Sequence, residues 1–188
     1  RKATKKDVER YQTVYAKKLG SVAAPTAGLH FTRDILSKLK NKGILIDYLT
    51  LHVTYNTFKP ITVDNYNDHN IGSELCDIRE NLISRIKSTR VNNKKVYAVG
   101  TTATRALENY ATKSYTGDFC GEADLYITPG YEFKFIDGII TNFHLPQSTL
   151  LLLVSSLIGR EKLLNLYNLA IGDNYRFYSY GDSMFIQL

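Results

Sequence analysis

Lys95-Val-Tyr-Ala-Val-Gly-Thr-Thr-Ala-Thr-Arg-Ala-Leu-Glu108 is the stretch whose reading decides the fold. Lys95 to Val99 is a short apolar strand, Gly100-Thr101-Thr102 turns the chain, and a helix is predicted from about Ala103 to Ala111. Downstream, Ile139-Ile-Thr141 is a further strand candidate, followed by helices at Ser148–Leu157 and Glu161–Ala170. Upstream, Thr32 is a good N-cap with Asp34 in its first turn, so a helix is predicted to about Lys42, where Gly43 ends it. Ile44 to Val53 reads as a buried strand and Thr57 to Val63 as a second extended piece. Asp77 to Arg90 carries Ile78, Leu82, Ile83 and Ile86 at helical spacing. Leu125-Tyr-Ile127, Tyr175 to Tyr180 and Met184 to Ile186 complete the extended candidates. This order predicts an α/β layer or barrel with a largely parallel sheet. Ligands in such folds bind at the loops leaving the carboxyl ends of strands. Leu51-His52-Val53-Thr54, Gly100-Thr101-Thr102 and Thr141-Asn142-Phe143-His144-Leu145-Pro146 all fall at that edge.

Composition narrows the class. The chain has 188 residues, is 44% hydrophobic and 22% charged, and carries a formal net charge of +6. These values exclude disordered, collagenous and coiled-coil readings. Cys76 and Cys120, the two cysteines, cannot build a disulfide framework or a thiolate zinc site. The best candidate for a membrane span, Leu150 to Ile158, falls short of the ~20 residues needed and is of core-helix length. With no signal-peptide pattern, a cytoplasmic setting is expected. Charge is lopsided: seven basic residues against Asp7 and Glu9 place +5 of the +6 within residues 1–18. Asp7 to Lys18 is predicted helical, with Val8, Tyr11, Val14, Tyr15 and Leu19 on one side. That segment (1–18) reads as a basic helix or linker ahead of the domain at 19–188. It is either a solvated face or a contact for phosphates. The chain begins at Arg1, and its natural start is expected upstream.

Chemistry-bearing residues cluster in loops. All four histidines, His30, His52, His69 and His144, lie in or near them, at none of the spacings of a helical zinc motif. No metal is called for. Gly100-Thr101-Thr102 has free N–H groups and hydroxyls at a helix start, suited to a phosphate, carboxylate or ribose oxygen, or simply to capping. Arg105 and Glu108 share a helix face, as a surface ion pair or as substrate clamps. Asp124, with Glu122, and Tyr131, with Glu132, bring further acids and aromatics, which do general acid–base work or brace loops. Gly20-Ser-Val-Ala-Ala-Pro-Thr-Ala-Gly28 is a small-residue loop that permits close backbone approach. The aromatic run Tyr175 to Tyr180 can stack bases or line a half-buried strand.

Taken together, these strings resemble a known family. Gly20 to Phe31, Leu51-His-Val53, Gly100-Thr-Thr102 with Arg105, Pro129-Gly-Tyr-Glu-Phe133, Ile140-Thr-Asn-Phe-His-Leu-Pro146 with Ser148-Thr-Leu-Leu151, and Tyr175-Arg-Phe177 with Ser179-Tyr-Gly-Asp182 are similar to the S-adenosylmethionine:tRNA ribosyltransferase-isomerases of queuosine biosynthesis. Glu9 to Ala16 joins them, so the resemblance runs in family order over nearly the whole chain. It implies a partial barrel-like α/β domain, without the family's N-terminal strands and inserted small β-barrel. It also implies transfer and isomerisation of the ribosyl part of S-adenosylmethionine onto 7-aminomethyl-7-deazaguanine at the tRNA wobble position, giving epoxyqueuosine and releasing adenine and methionine. The expected partners are tRNA and S-adenosylmethionine, the latter as cosubstrate, with no prosthetic group, no metal and no membrane; the chain is expected to be a monomer.

Under this resemblance the four histidines form an acid–base pool. A base removes the proton beside the sulfonium, and an acid assists departure of adenine. Gly100, Thr101, Thr102 and Arg105 are expected to hold the ribose or the methionine carboxylate. Asp124 is expected to read the deazaguanine edge or orient an imidazole, and Tyr131 and Asn142 to bind substrate. The sequence departs from the family where Thr54 and Asn56 replace two loop glycines, and where Gly72 stands in place of a second histidine after His69. The alternative is therefore a truncated or degenerate homologue that binds tRNA or a partner without catalysis. A classical S-adenosylmethionine methyltransferase would need a glycine-rich first loop, which is lacking.

Overall fold

In a computed structural model, residues 11–18, 20–21, 23–53 and 60–188 are described. The elements are α1 (Arg33–Asn41), β1 (Thr50–His52), β2 (Glu74–Ile78), α2 (Glu80–Val91), β3 (Tyr97–Val99), α3 (Thr101–Thr112), β4 (Phe119–Ala123), β5 (Gly138–Asn142), α4 (Thr149–Ile158), α5 (Arg160–Gly172) and β6 (Ser183–Gln187). Short 3₁₀ turns occupy Thr26–His30 and Tyr66–Asp68. The strands form two three-stranded sheets, β1-β2-β4 and β3-β5-β6.

The α/β class holds, but a largely parallel sheet does not. Among the described residues β3–β5 is the parallel pairing, with Ala98 opposite Ile139, while β1–β2, β2–β4 and β5–β6 are antiparallel. The reason lies in the crossovers. The chain passes from β2 through α2 into the other sheet, and from β3 through α3 back again. Alternating strands and helices therefore do not feed successive strands of one sheet. β6 returns antiparallel to β5 after two helices, α4 and α5, joined at Gly159 with φ +83°.

α3 sits at the centre. Thr101, Thr104, Arg105, Ala106, Leu107, Glu108, Asn109 and Tyr110 are all buried, and the helix contacts β3, β4, β5 and α4. Such a helix is enclosed along most of its length, unlike the amphipathic surface type, and it carries Thr104, Arg105, Glu108 and Asn109 into the interior. Around it the core gathers Cys76, Ile78, Ile83, Ile127, Ile139, Val154 and Leu163, each at most 2% exposed.

Several elements differ from expectation. Within the predicted 44–53 strand, Thr50–His52 is extended; Ile44 and Leu45 are 48% and 71% exposed, so there is no burial to hold a longer strand. Ile78 belongs to β2, and the helix begins only at Glu80. Leu125–Ile127 forms no strand; the neighbouring strand is β4. Tyr175–Tyr180 forms no strand; the chain turns at Tyr178–Gly181, where Gly181 N donates to Tyr178 O at 2.9 Å, and the Asp182 carboxylate accepts from Arg176 N at 2.7 Å. Of the helix predicted over Asp7–Lys18, residues 7–10 lie outside the described residues, as do 1–6 and 19, and Tyr11–Lys18 is not helical. That segment instead packs on the domain: Tyr11 against Tyr180, Tyr15 against Tyr48, and Lys18 paired with Asp77. Thr54, Asn56 and the start of the 57–63 piece also lie outside the described residues.

Candidate functional site

A cleft of about 210 Å³ opens where β3 and β5 end side by side. Parallel neighbours present their carboxyl ends to the same edge, which makes this the expected ligand position. One wall is Ala24-Pro-Thr-Ala27, the second Gly100-Thr-Thr-Ala103, and the third Thr141 to Leu145; Val53, Ser148, Leu150, Tyr178 and Ser179 complete it.

Each wall has a local cause. Gly100 takes φ +94°, a backbone conformation that a side chain resists. It donates its N–H to Ile140 O at 2.8 Å, and its carbonyl accepts from Thr104 N and Thr104 Oγ1, both at 3.1 Å. The helix thus begins directly at the strand end, with the positive end of its dipole at the cleft. The Pro25–His30 turn is compact because Gly28 N donates to Pro25 O at 2.8 Å and Phe31 N to Gly28 O at 3.1 Å. Gly28 lies under Tyr15 and Thr13, with no space for a Cβ.

His144 follows β5 and lines the cleft. Its Nε2 lies 2.8 Å from Thr141 Oγ1, and its backbone N–H donates to the Tyr167 hydroxyl at 2.8 Å. Burial pushes its pKa down to about 4, so the ring is neutral near pH 7. Asn142 lines the same wall and reaches His30, which stands behind it, with Nδ2 to Nε2 at 3.2 Å. The His30 pKa is also lowered, mainly by burial, with Asp182 opposing and Arg176 assisting.

The other candidates lie elsewhere. His52 sits at the end of β1, where a Cβ on Gly20 would come within 3.2 Å of its Nδ1. The His69 ring is 6.3 Å from that of Tyr126, and its Nε2 is buried without a hydrogen-bond partner among the described residues. Arg105 is buried rather than part of a surface ion pair, and its Nε has no hydrogen-bond partner among the described residues. The guanidinium donates to Ala123 O at 3.0 Å and Gly72 O at 3.4 Å, and approaches Glu74 Oε2 at 3.5 Å, all away from solvent. It borders a separate hollow of about 10 Å³, which shares Thr101, Thr102 and Leu150 with the cleft. That is about the space of one water. Asp124 is paired with Lys113, whose hydrogen bond holds the carboxyl below its usual pKa. The Tyr131 hydroxyl donates to Glu108 Oε2 at 2.9 Å and contacts Thr112 Oγ1 at 2.8 Å, so it braces a loop rather than lining the cleft.

Thr26, Thr141, Ser148 and Tyr178 line the cleft as well; the sequence reading has them as members of longer strings and not as individual site candidates. Thr26 carried a usable signal, as the one hydroxyl inside the small-residue string Ala24 to Gly28. Among the described residues no group of three or more His, Cys, Asp or Glu is arranged to hold a metal ion, and no helix is long and apolar enough to cross a membrane.

Comparison with known proteins gives one consistent family. A crystal structure of S-adenosylmethionine tRNA ribosyltransferase from Thermotoga maritima superposes with a TM-score of 0.71 at 36% identity, covering 85% of this chain and 50% of that one. Proteins named S-adenosylmethionine:tRNA ribosyltransferase-isomerase match at 55% identity over 181 residues in Halothermothrix orenii, 49% over 180 in Francisella philomiragia and 51% over 182 in Acetivibrio thermocellus. Each match covers 96% of this chain and 53% of the relative, so the chain spans about half the length of the curated relatives it matches. The family model described as "Queuosine biosynthesis protein" matches residues 1–186, and the chain belongs to that family.

Proposed function

We propose that the chain carries the ribosyltransferase-isomerase reaction: the ribosyl part of S-adenosylmethionine moves onto 7-aminomethyl-7-deazaguanine in tRNA, is isomerised to epoxyqueuosine, and adenine and methionine leave. The observation that supports this most directly is the cleft. It is ringed by the strings through which the chain resembles the family: Pro25–Ala27, Gly100–Thr102, Asn142–His144 and Tyr178–Ser179. On this reading the two sheets are part of a barrel-like α/β domain. S-adenosylmethionine is a cosubstrate, no prosthetic group takes part, and the chain acts as a cytoplasmic monomer on tRNA.

The cleft volume is below the ~300–1,000 Å³ of pockets that enclose a drug-sized ligand, so its described walls suit one moiety at a time. The N–H groups at the start of α3, with Thr101 and Thr102, are assigned to the ribose or the methionine carboxylate. Arg105 contributes by fixing β2, β4 and α3 relative to one another. The histidines His30, His52, His69 and His144 remain the pool for proton transfer. Within it His144 is nearest the reacting groups and serves as a neutral hydrogen-bonding ring. Protonating it at pH 7 would cost about 4 kcal/mol at 1.36 kcal/mol per pH unit.

The test is direct. The 188-residue chain is incubated with S-adenosylmethionine and tRNA carrying the precursor base, and epoxyqueuosine and free adenine are measured by mass spectrometry. Both products are expected in equal amounts. A folded chain that forms neither would reject the reading in favour of a domain that only binds tRNA or a partner.

A further inference from the structure

Asn142 closes β5 and is 3% exposed, yet its carboxamide reaches two other loops. The Tyr178 carbonyl lies 3.2 Å from Asn142 Nδ2. A carbonyl can only accept, so it fixes which end of the carboxamide is the amino group; the flipped side chain would set two oxygens against each other. In the fixed orientation Oδ1 accepts from Thr26 Oγ1 at 3.3 Å, and the remaining amino hydrogen is directed at His30 Nε2, 3.2 Å away. A ring nitrogen that receives an N–H must offer its lone pair, which leaves the proton of the neutral imidazole on Nδ1.

We infer that Asn142 is a positioning residue that holds His30 neutral with its proton on Nδ1, and so clasps the Pro25–His30 turn, the end of β5 and the Tyr178 loop into one wall of the cleft. Proton uptake at His30 Nε2 sets donor against donor and opens the clasp. Thr26, Asn142 and Tyr178 all line the cleft, so opening loosens the binding surface itself. The charged groups acting on the ring are Asp182 and Arg176. They are bonded to each other at 3.0 Å and pull in opposite directions, which leaves burial and the Asn142 contact to decide the ring's state. The clasp deepens the proposed function, and rests on it only for what the cleft binds.

The tautomer is read by long-range proton–nitrogen NMR on the chain labelled at histidine, with His30 assigned through a His30→Gln sample. Near neutral pH, Nε2 is expected to show the shift of an unprotonated ring nitrogen and Nδ1 that of a protonated one. The reverse pattern, or a cation, overturns the inference. In Asn142→Asp a carboxylate replaces the amino donor, so the ring proton is expected to move to Nε2 and the midpoint to rise by about one pH unit or more. An unchanged midpoint in that variant, shown folded by circular dichroism, also overturns it; if the variant does not fold, the wild-type tautomer decides. Calorimetric titration with S-adenosylmethionine at stepped pH is expected to show affinity falling about tenfold through the His30 midpoint. Affinity that is flat through that midpoint overturns the opening. No binding at any pH, with the expected tautomer in place, refutes the proposed substrate while the clasp stands.

Discussion

Acidification tests the placement of His144 without any substrate. In the unfolded chain its imidazole titrates near the ordinary value of 6.5, whereas in the fold burial pushes the pKa down to about 4. Between these values the unfolded state binds a proton that the native state refuses. Stability contributed by the neutral ring is therefore complete above pH 6.5, falls as the pH drops towards 4, and changes no further below. At 1.36 kcal/mol per unit, the loss across that window is about 3 kcal/mol, a large share of the ~5–15 kcal/mol that holds a domain together. Carboxylates and His30 also titrate on the way down, so the measurement is a difference between wild type and His144→Gln. Glutamine keeps a polar atom for Thr141 and cannot titrate. Urea unfolding at pH 7.5, 6, 5 and 4, followed by circular dichroism, should show the wild type losing about 3 kcal/mol more than the variant between pH 6.5 and 4. The stability profiles should run parallel above that range. Profiles parallel throughout, at equal urea slopes, would refute the reasoning.

Two further outcomes follow from buried contacts. Glu108 is 0% exposed; its Oε1 accepts from Phe135 N and Ile136 N, and its Oε2 from Lys134 N and the Tyr131 hydroxyl. Glu108→Gln turns one of these oxygens into a donor facing two donors, and should cost about 3 kcal/mol or more in urea unfolding, against about 1 kcal/mol for Tyr131→Phe; equal costs would contradict the arrangement. Gly28→Ala drives a methyl into the Tyr15 hydroxyl and should cost about 1–3 kcal/mol, part of which Tyr15→Phe restores in the double variant; additive losses would show that the hydroxyl is not the obstacle.

What could be read from the sequence was whatever rests on local cause. The β3 strand runs into α3 because an apolar run meets a glycine that can take positive φ, and both features are contiguous. α1 was legible from Thr32, whose hydroxyl accepts from Ile35 N at 3.2 Å. β2 was not, because its alternation is inverted: Glu74 points inward at 2% exposure while Leu75 is 44% exposed. A buried Glu needs partners, and one of them, Arg105, comes from a helix in another part of the chain. β4 reads as Phe-Cys-Gly-Glu-Ala, a poor strand former by composition, and is extended because it pairs along the whole of β2. Pairing between distant segments, rather than propensity, also made most of the sheet antiparallel.

The site divides along the same line. Strand-end geometry pointed to Gly100–Thr102 and to Asn142 and His144, since parallel neighbours bring their carboxyl ends together whatever the side chains are. Arg105 and Tyr131 attracted attention for their chemistry, but a charged or phenolic group near a core is first claimed by groups that would otherwise go unpaired. In this chain those claimants are the Ala123 carbonyl and Glu74 for Arg105 and Glu108 for Tyr131, while Asp124 pairs with Lys113 at the surface. Sequence cannot show such a claim, because the partner is chosen by the fold. Asn142 sharpens the point. Its bonds to His30, Thr26 and Tyr178 span 112, 116 and 36 residues. None of the four residues reveals the others, yet together they leave the His30 ring one place for its proton.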